Sequence, residues 1–139
     1  MTKIEIERRD DGYHLVAKNE DGASLSMDAS RDIGGKNMGL RPMQVLLSSL
    51  GGCSGIDVIS LLKKQRQELR DIKITLTGER ESGKIPSLYT SIHVHYKLFG
   101  TIDNDKAEKA VNLSMEKYCS VARTLEKTAR ITYSFEIIK

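Results

Sequence analysis

The segment from Pro42 to Leu62 reads PMQVLLSSLGGCSGIDVISLL and contains the most apolar stretch of the chain. Proline is favoured at the first position of a helix, and the apolar residues that follow recur at close to 3.6-residue steps. Further apolar residues widen this band, which predicts burial on more than one face. We therefore predict a long central helix from Pro42 to about Gln67, with the fold built around it.

Polar residues interrupt this segment at Gln44, Ser48, Ser49, Ser54, Asp57 and Ser60. Such interruptions favour a core helix of a soluble protein over a membrane span. The first nine residues, MTKIEIERR, lack the apolar centre of a secretory signal. Two cysteines without such a signal indicate a reducing compartment. We expect a cytoplasmic protein without a membrane partner.

Length and charge set further bounds. A chain of 139 residues, 39% hydrophobic and 29% charged, predicts a single domain over residues 1–139. Its 22 basic and 19 acidic residues are interleaved, whereas a nucleic-acid binder concentrates basic residues in a patch. The densest basic run, residues 63–66, falls near the predicted helix end, where cations complement the helix dipole. We expect no nucleic-acid partner.

The remaining elements follow from hydrophobic periodicity and turn residues. In chain order we predict three short antiparallel strands within residues 1–28, a glycine-rich loop at 30–41, the long helix, strands at 72–77 and 89–99, a helix capped by Asp103 or Asn104, a short turn or helix at 121–127, and a strand at 130–138. In the strand at 89–99, the side chains of Ile92, Val94, Tyr96 and Leu98 share one side. Ala107, Val111, Ser114, Met115 and Tyr118 share one face of the second helix. The order predicts an α+β fold, with antiparallel sheets around the long helix.

Cys53 lies inside the long helix, flanked by three glycines in the sequence GGCSG at residues 51–55. Each glycine in a helix interior costs roughly 0.5–1 kcal/mol relative to alanine. This penalty indicates a use for close approach, so that another element or a substrate can lie against the backbone beside the thiol. The alternative is tight helix packing, with Cys53 acting as a small buried apolar residue.

Cys119 follows the second helix, where a cysteine beside an apolar face is also commonly a packing residue. Two thiols in one chain allow a redox reaction, in which a thiolate attacks the O–O bond of a peroxide and becomes a sulfenic acid. A second thiol then captures that acid as a disulfide. Such a bond needs Cα atoms about 4.4–6.8 Å apart. The sequence alone leaves that distance open.

Two motifs resemble those of the OsmC/Ohr family. RPMQVLLSSLGGC at residues 41–53 resembles its Asn-Pro-Glu-x-Leu…Ala-Cys signature, and YCSVA at 118–122 resembles the surroundings of its second cysteine. The resemblance implies an intertwined, swapped homodimer with two active sites at the subunit interface. It also implies that Cys53 is the peroxidatic thiol and Cys119 the resolving thiol. Organic hydroperoxides would be the substrates, with a dithiol such as a lipoyl group as reductant and with no metal or organic cofactor.

One departure from the family signature concerns the residue after the motif proline. The best-studied members have a glutamate there, working with an arginine, whereas this chain has Met43 followed by Gln44. A cation would raise the thiolate fraction of Cys53, and the sequence offers four arginines as rivals: Arg8, Arg9, Arg31 and Arg41. Met43 also makes the region more apolar, which favours a second hypothesis. In that hypothesis the protein binds a small hydrophobic ligand or serves in a stress response, without catalysis by the thiols. In a third hypothesis both cysteines are structural residues of the core.

Three other polar residues, His93, His95 and Asp57, are candidates for a functional role. His93 and His95 lie two apart on a predicted strand and therefore on one face. No companion motif of zinc-ligand spacing accompanies them, so we predict a partly exposed histidine face instead of a metal site. Asp57 lies one helical turn after Cys53 and could touch the surroundings of the thiol. Because a nearby carboxylate would raise the pKa of the thiol, we interpret Asp57 as a capping or interface group.

Overall fold

A computed structural model describes residues 1–139 and divides them into two compact units, Met1–Leu46 and Leu47–Lys139. Our expectation of a single domain stays a prediction.

The first unit is a three-stranded antiparallel sheet followed by a loop. Its strands are β1 (Glu5–Arg8), β2 (Leu15–Lys18) and β3 (Ser24–Met27), in the order β1-β2-β3. The Asp28 carboxylate organises the loop by accepting hydrogen bonds from the backbone N–H groups of Ala29, Lys36 and Met38, at 2.8, 3.1 and 3.0 Å. The three predicted strands and the glycine-rich loop are therefore confirmed.

A mixed sheet and the helices form the second unit. Helix α1 (Pro42–Lys64) starts just before the unit boundary, and the elements that follow are β4 (Glu68–Arg80), β5 (Tyr89–Thr101), α2 (Asn104–Leu113), a π-helical turn (Ser114–Tyr118), α3 (Ser120–Leu125) and β6 (Arg130–Ile138). Asp103 caps α2 by accepting from the Lys106 N–H group, as predicted. Strand β4 is longer than predicted because polar residues at both ends continue its pairing with β5.

The prediction that the sheets are antiparallel is wrong for one strand pair. The sheet order is β4-β5-β6, with β4 antiparallel to β5 but β6 parallel to it. A parallel neighbour requires a crossover of a dozen or more residues, and α2, the π-helical turn and α3 supply it. This crossover carries Cys119, so the parallel pairing places the second thiol on the connection between two adjacent strands.

The core of the second unit lies between α1 and the sheet. Ile92, Val94, Tyr96 and Leu98 of β5 are buried, on the side that the alternation predicted. Helix α1 contributes the buried residues Leu50, Gly51, Ser54, Gly55, Val58 and Leu62. On its other side Ile56 and Ile59 are 67% and 42% exposed. Burial of α1 on more than one face is thus not met within the single chain.

Two of the three glycines beside Cys53 allow close contact with the sheet. A Cβ atom at Gly51 would lie 2.6 Å from Leu76 Cδ1, and one at Gly55 would lie 2.7 Å from Ile74 Cδ1. Both distances are too short for real atoms, so the backbone of α1 approaches β4 more closely than a larger residue permits. Gly52 faces open space. The glycines therefore serve helix-to-sheet packing, and they set how deep α1 lies on the sheet.

Helix α1 is long and apolar enough to cross a membrane, but core helices of soluble proteins also meet that criterion. Asp57 and several serines lie along it, and its inner face packs on the sheet. These features favour a core helix.

A buried hydrogen bond fixes α1 to β5. The fully buried Tyr96 hydroxyl donates to Ser54 Oγ at 2.8 Å, and Ser54 in turn donates to the Leu50 carbonyl oxygen at 2.9 Å. Burial raises the pKa of Tyr96, so its hydroxyl remains a donor over the physiological range. Because Ser54 follows Cys53, this bond also fixes the position of the thiol.

We predict that Tyr96→Phe lowers the free energy of unfolding by about 1–2 kcal/mol, because the buried Ser54 oxygen loses its donor. The matched control is Tyr133→Phe, which removes a donor to Glu116 on the surface. Its effect should stay within about 0.5 kcal/mol. Urea titrations of the reduced wild type and both variants, all at the same protein concentration, measure the two changes in the free energy of unfolding. Equal losses of stability in the two variants would contradict the role given to Tyr96.

Candidate functional site

The π-helical turn determines where Cys119 lies. Its backbone closes through a hydrogen bond from the Cys119 N–H group to the Ser114 carbonyl oxygen at 2.8 Å. Cys119 then adopts an extended conformation and caps α3, with its sulfur accepting from the Ala122 N–H group at 3.4 Å. The chain therefore turns sharply at Cys119, with the thiol directed back into the protein.

The two predicted site residues lie next to each other. The sulfur atoms of Cys53 and Cys119 and a carboxylate oxygen of Asp57 all lie within 4.8 Å of one another. Both cysteines are free thiols. Cys53 is half-buried in the middle of α1, whereas Cys119 is only 1% exposed. The pair is thus asymmetric, with one thiol closer to solvent than the other.

This asymmetry extends to proton affinity. Burial raises the pKa of Cys119 to about 11, and its hydrogen bond to Cys53 and the charge on that residue add to the rise. Backbone N–H groups of Ala122 and Val121 act in the opposite direction without overcoming it. Cys119 therefore keeps its proton at neutral pH and serves as a hydrogen-bond donor to Cys53.

Asp57 lies beside the thiols, which is the alternative that our sequence interpretation as a capping or interface group set aside. Its Oδ2 accepts a hydrogen bond from the fully buried Ser114 hydroxyl at 3.0 Å. That hydroxyl also lies 3.3 Å from the Ser54 carbonyl oxygen. The spacing of four residues from Cys53 to Asp57 was the available signal, since residues one turn apart are neighbours on a helix.

An open hollow of about 430 Å³ leads from the surface to Asp57. Its lining combines charged, polar and apolar side chains: Asp57, Ser60, Leu61, Lys64 and Tyr118. Tyr118 was predicted on the buried face of α2 but is 49% exposed. The π-helical turn explains the error, because its wider spacing breaks the 3.6-residue phase that placed Tyr118 inward.

His93 and His95 form part of the polar surface of the sheet, and their hydrogen-bond partners are residues of β6. His93 contacts Thr132 at 2.7 Å and Ser134 at 2.9 Å, and His95 contacts Ser134 at 2.7 Å and Glu136 at 2.6 Å. Every ring nitrogen is thereby used in joining β5 to β6. The half-buried histidine face predicted from the sequence agrees with this arrangement.

The four rival arginines all lie in the first unit. Arg9 is paired with Glu7 at 3.7 Å, and Arg41 donates to the Gly39 carbonyl oxygen at 2.9 Å. An arginine that acts on Cys53 stays a prediction.

Comparison with known proteins decides the family. The model of the family described as OsmC-like protein matches residues 34–134. The chain belongs to the OsmC-like family. Protein YhfA of Escherichia coli strain K12 is 40% identical over 129 residues, which cover 92% of this chain and 92% of that protein.

Solved structures share this fold. A hypothetical protein from Aquifex aeolicus VF5 is 36% identical, with a TM-score of 0.84 over 99% of this chain and 96% of that chain. An organic hydroperoxide resistance protein OsmC from Legionella pneumophila is 17% identical, with a TM-score of 0.72 over 98% of this chain and 96% of that chain. At that identity the likeness is one of fold.

We predict that the two thiols differ in their alkylation by iodoacetamide. Cys53 should be modified first at pH 7, because Cys119 is buried and its pKa of about 11 leaves a thiolate fraction on the order of 10⁻⁴. The rate at Cys119 should rise about tenfold per pH unit between pH 7 and 10. Mass spectrometry of timed samples measures both, with urea-unfolded protein as the control for intrinsic reactivity. Equal modification of both thiols at pH 7 in the folded protein would contradict the asymmetry.

Proposed function

We propose that this protein is a thiol-dependent redox protein that reduces organic hydroperoxides with Cys53 and Cys119. The observation that carries the proposal is the adjacency of two free thiols in unlike surroundings. A pair of buried packing cysteines has no need of such a contact. A reducing, cytoplasmic location, where the thiols are regenerated, is part of the proposal.

Cys53 would act first because its sulfur is the more accessible of the two. Its thiolate attacks the terminal oxygen of the hydroperoxide, so that an S–O bond forms while the O–O bond breaks. The alcohol leaves after taking up a proton, and Cys53 becomes a sulfenic acid. The peroxide has then been reduced by two electrons, and the sulfur has been oxidised by two.

Cys119 would act second. Its sulfur attacks the sulfenic sulfur, so that an S–S bond forms and the S–O bond breaks, with hydroxide leaving as water after protonation. The proton lost by Cys119 balances this step. An external dithiol then reduces the disulfide by thiol–disulfide exchange and is itself oxidised to a disulfide.

Asp57 provides a carboxylate near the thiols, whereas Met43 and Gln44, which follow the motif proline, provide none. Because its oxygen lies within 4.8 Å of both sulfurs, it can accept the Cys119 proton during resolution. The hydrogen bond from Ser114 holds the carboxylate in place and offsets part of its charge. Asp57 thus assists the second step.

The hollow beside Asp57 suits an amphipathic substrate. Leu61 and Tyr118 offer apolar surface, whereas Lys64 and Asp57 are charged. An alkyl hydroperoxide has both characters, since its peroxide group is polar and its chain is apolar. This lining favours the redox proposal over storage of a wholly apolar ligand.

Support from the comparisons is of two kinds. The chain belongs to the OsmC-like family, and structures that share its fold include organic hydroperoxide resistance proteins. The Legionella pneumophila protein is also described as a predicted redox protein. Its activity is transferred to this chain only as part of the proposal.

An intertwined homodimer, with active sites at the subunit interface, completes the proposal. Ile56 and Ile59, which are three residues apart on α1 and so lie on one face of it, are 67% and 42% exposed. Contiguous apolar surface on a central helix is typical of an interface between subunits. A second copy of this chain would bury that face.

We predict that the wild type consumes cumene hydroperoxide in the presence of dihydrolipoamide and that Cys53→Ser abolishes consumption. Cys119→Ser should still form a sulfenic acid at Cys53, which dimedone labels and mass spectrometry detects. The matched control is Ser120→Ala, which changes an exposed neighbour of Cys119 and should leave turnover intact. Negligible turnover in the wild type, or dimedone labelling of Cys119 in Cys53→Ser, would contradict the assigned roles.

The dimer gives a separate prediction. Ile56→Asp should weaken self-association by on the order of 100-fold, because a carboxylate would be buried in an apolar interface. Ile85→Asp is the matched control, since Ile85 is fully exposed outside α1. Sedimentation velocity over a concentration series measures the assembly. A monomeric wild type, or equal association of the two variants, would contradict the proposed interface.

A further inference from the structure

The site that holds the two thiols also has the composition of a metal site. Thiolate and carboxylate groups are both common zinc ligands, and three protein ligands with one open position form a recognised type of zinc centre. Here two sulfurs and one carboxylate oxygen, from Cys53, Cys119 and Asp57, converge within 4.8 Å. From this convergence we propose that the reduced protein binds one thiophilic divalent cation, with Zn²⁺ as the physiological type, at these three residues.

Distances support this assignment. With Zn–S bonds of about 2.3 Å and Zn–O bonds of about 2.1 Å, tetrahedral geometry places the ligand atoms about 3.6–3.8 Å apart. The three atoms here lie within 4.8 Å of one another, so none of the three separations needs to shrink by more than about 1 Å. Small rotations of side chains that are already neighbours accomplish this. No rearrangement of α1 or of the π-helical turn is required.

The groups around the ligands are also suited to a bound cation. The Ser114 hydroxyl donates to Asp57 Oδ2 at 3.0 Å, which orients the carboxylate. Backbone N–H groups of Ala122 and Val121 point at the Cys119 sulfur, which stabilises negative charge there. Such outer contacts fix ligand orientation in metal sites.

Charge and access are also compatible with a bound cation. Each thiol that enters the coordination sphere releases its proton to solvent, so two thiolates and one carboxylate surround a doubly charged cation and leave the site with a net charge of −1. Lys64, which lines the same hollow as Asp57, carries the opposite charge. The cation reaches the site through the hollow that Asp57 borders, because Cys53 and Asp57 are half-buried. Water fills the fourth position from the same side.

The consequence is a competition between metal and oxidant. A bound cation occupies the electron pairs with which Cys53 would attack a peroxide, and it separates the sulfurs that would form a disulfide. The reduced protein would be inert to oxidants while loaded and would release the cation on oxidation. Metal binding itself does not depend on the peroxide chemistry, so the two proposals can fail independently.

The test is anaerobic titration of the reduced protein with Zn²⁺ against a chromophoric chelator, paralleled by titration with Co²⁺. We expect one equivalent per chain and a thiolate-to-cobalt charge-transfer absorption. Cys53→Ser and Cys119→Ser should each weaken binding by about 100-fold or more, since even outer-shell changes commonly cost 10- to 100-fold. Asp57→Asn should weaken it by at least about tenfold, with the charge-transfer band retained.

His95→Ala is the matched control, because it removes a possible ligand outside the site and should leave binding unchanged. Native wild-type protein alkylated at Cys53 should lose the cobalt band. Absence of the band in the wild type, unaltered affinity in both cysteine variants, or loss of binding in His95→Ala would overturn the proposal. Peroxide turnover is not a readout of this experiment, so an inactive protein that binds Zn²⁺ supports the metal site alone.

Discussion

The hydrogen bond between Tyr96 and Ser54 is the constraint on which the site depends. It joins the middle of α1 to β5 inside a region where water cannot replace either partner. Rotation of the helix about its axis would break this bond, and rotation is the motion that would separate Cys53 from Cys119. The strand thereby determines which side of the helix presents a thiol, even though it contributes no reactive group.

Close packing adds a second constraint in a different direction. Gly51 and Gly55 allow Leu76 and Ile74 to contact the helix backbone, so the depth of the helix on the sheet is fixed by side chains of β4. The parallel pairing of β5 with β6 then requires the long crossover that carries Cys119 past the helix. Helix orientation, helix depth and crossover path together bring the two sulfurs into contact.

Much of this arrangement was predictable because it depends on local patterns. Alternation in residues 89–99 identified the inward face of β5, and the Asp103 cap placed the start of α2. The direction of β6 was not predictable in the same way, since parallel and antiparallel strands differ little in composition. Its direction follows from the path of the crossover, which is a property of the whole unit.

The candidate site was likewise predictable only where it depends on local patterns. Both cysteines were identified by their motifs, but the role of Asp57 depends on Ser114, which is 57 residues away in the chain. The π-helical turn was also beyond reach, because its wider turn has no apolar periodicity of its own. It displaced Tyr118 from the predicted buried face and turned Cys119 inward.

The glycine contacts have a consequence for how this sequence can vary over time. A methyl group at position 51 fits only if the side chain at 76 shortens or turns aside, and the same relation links positions 55 and 74. A change at either glycine therefore depends on how the facing side chain of β4 responds. Substitutions at 51 and 55 should accordingly be inherited together with changes at 76 and 74 more often than alone among descendants of this protein, whereas position 52, which faces open space, is free to drift alone.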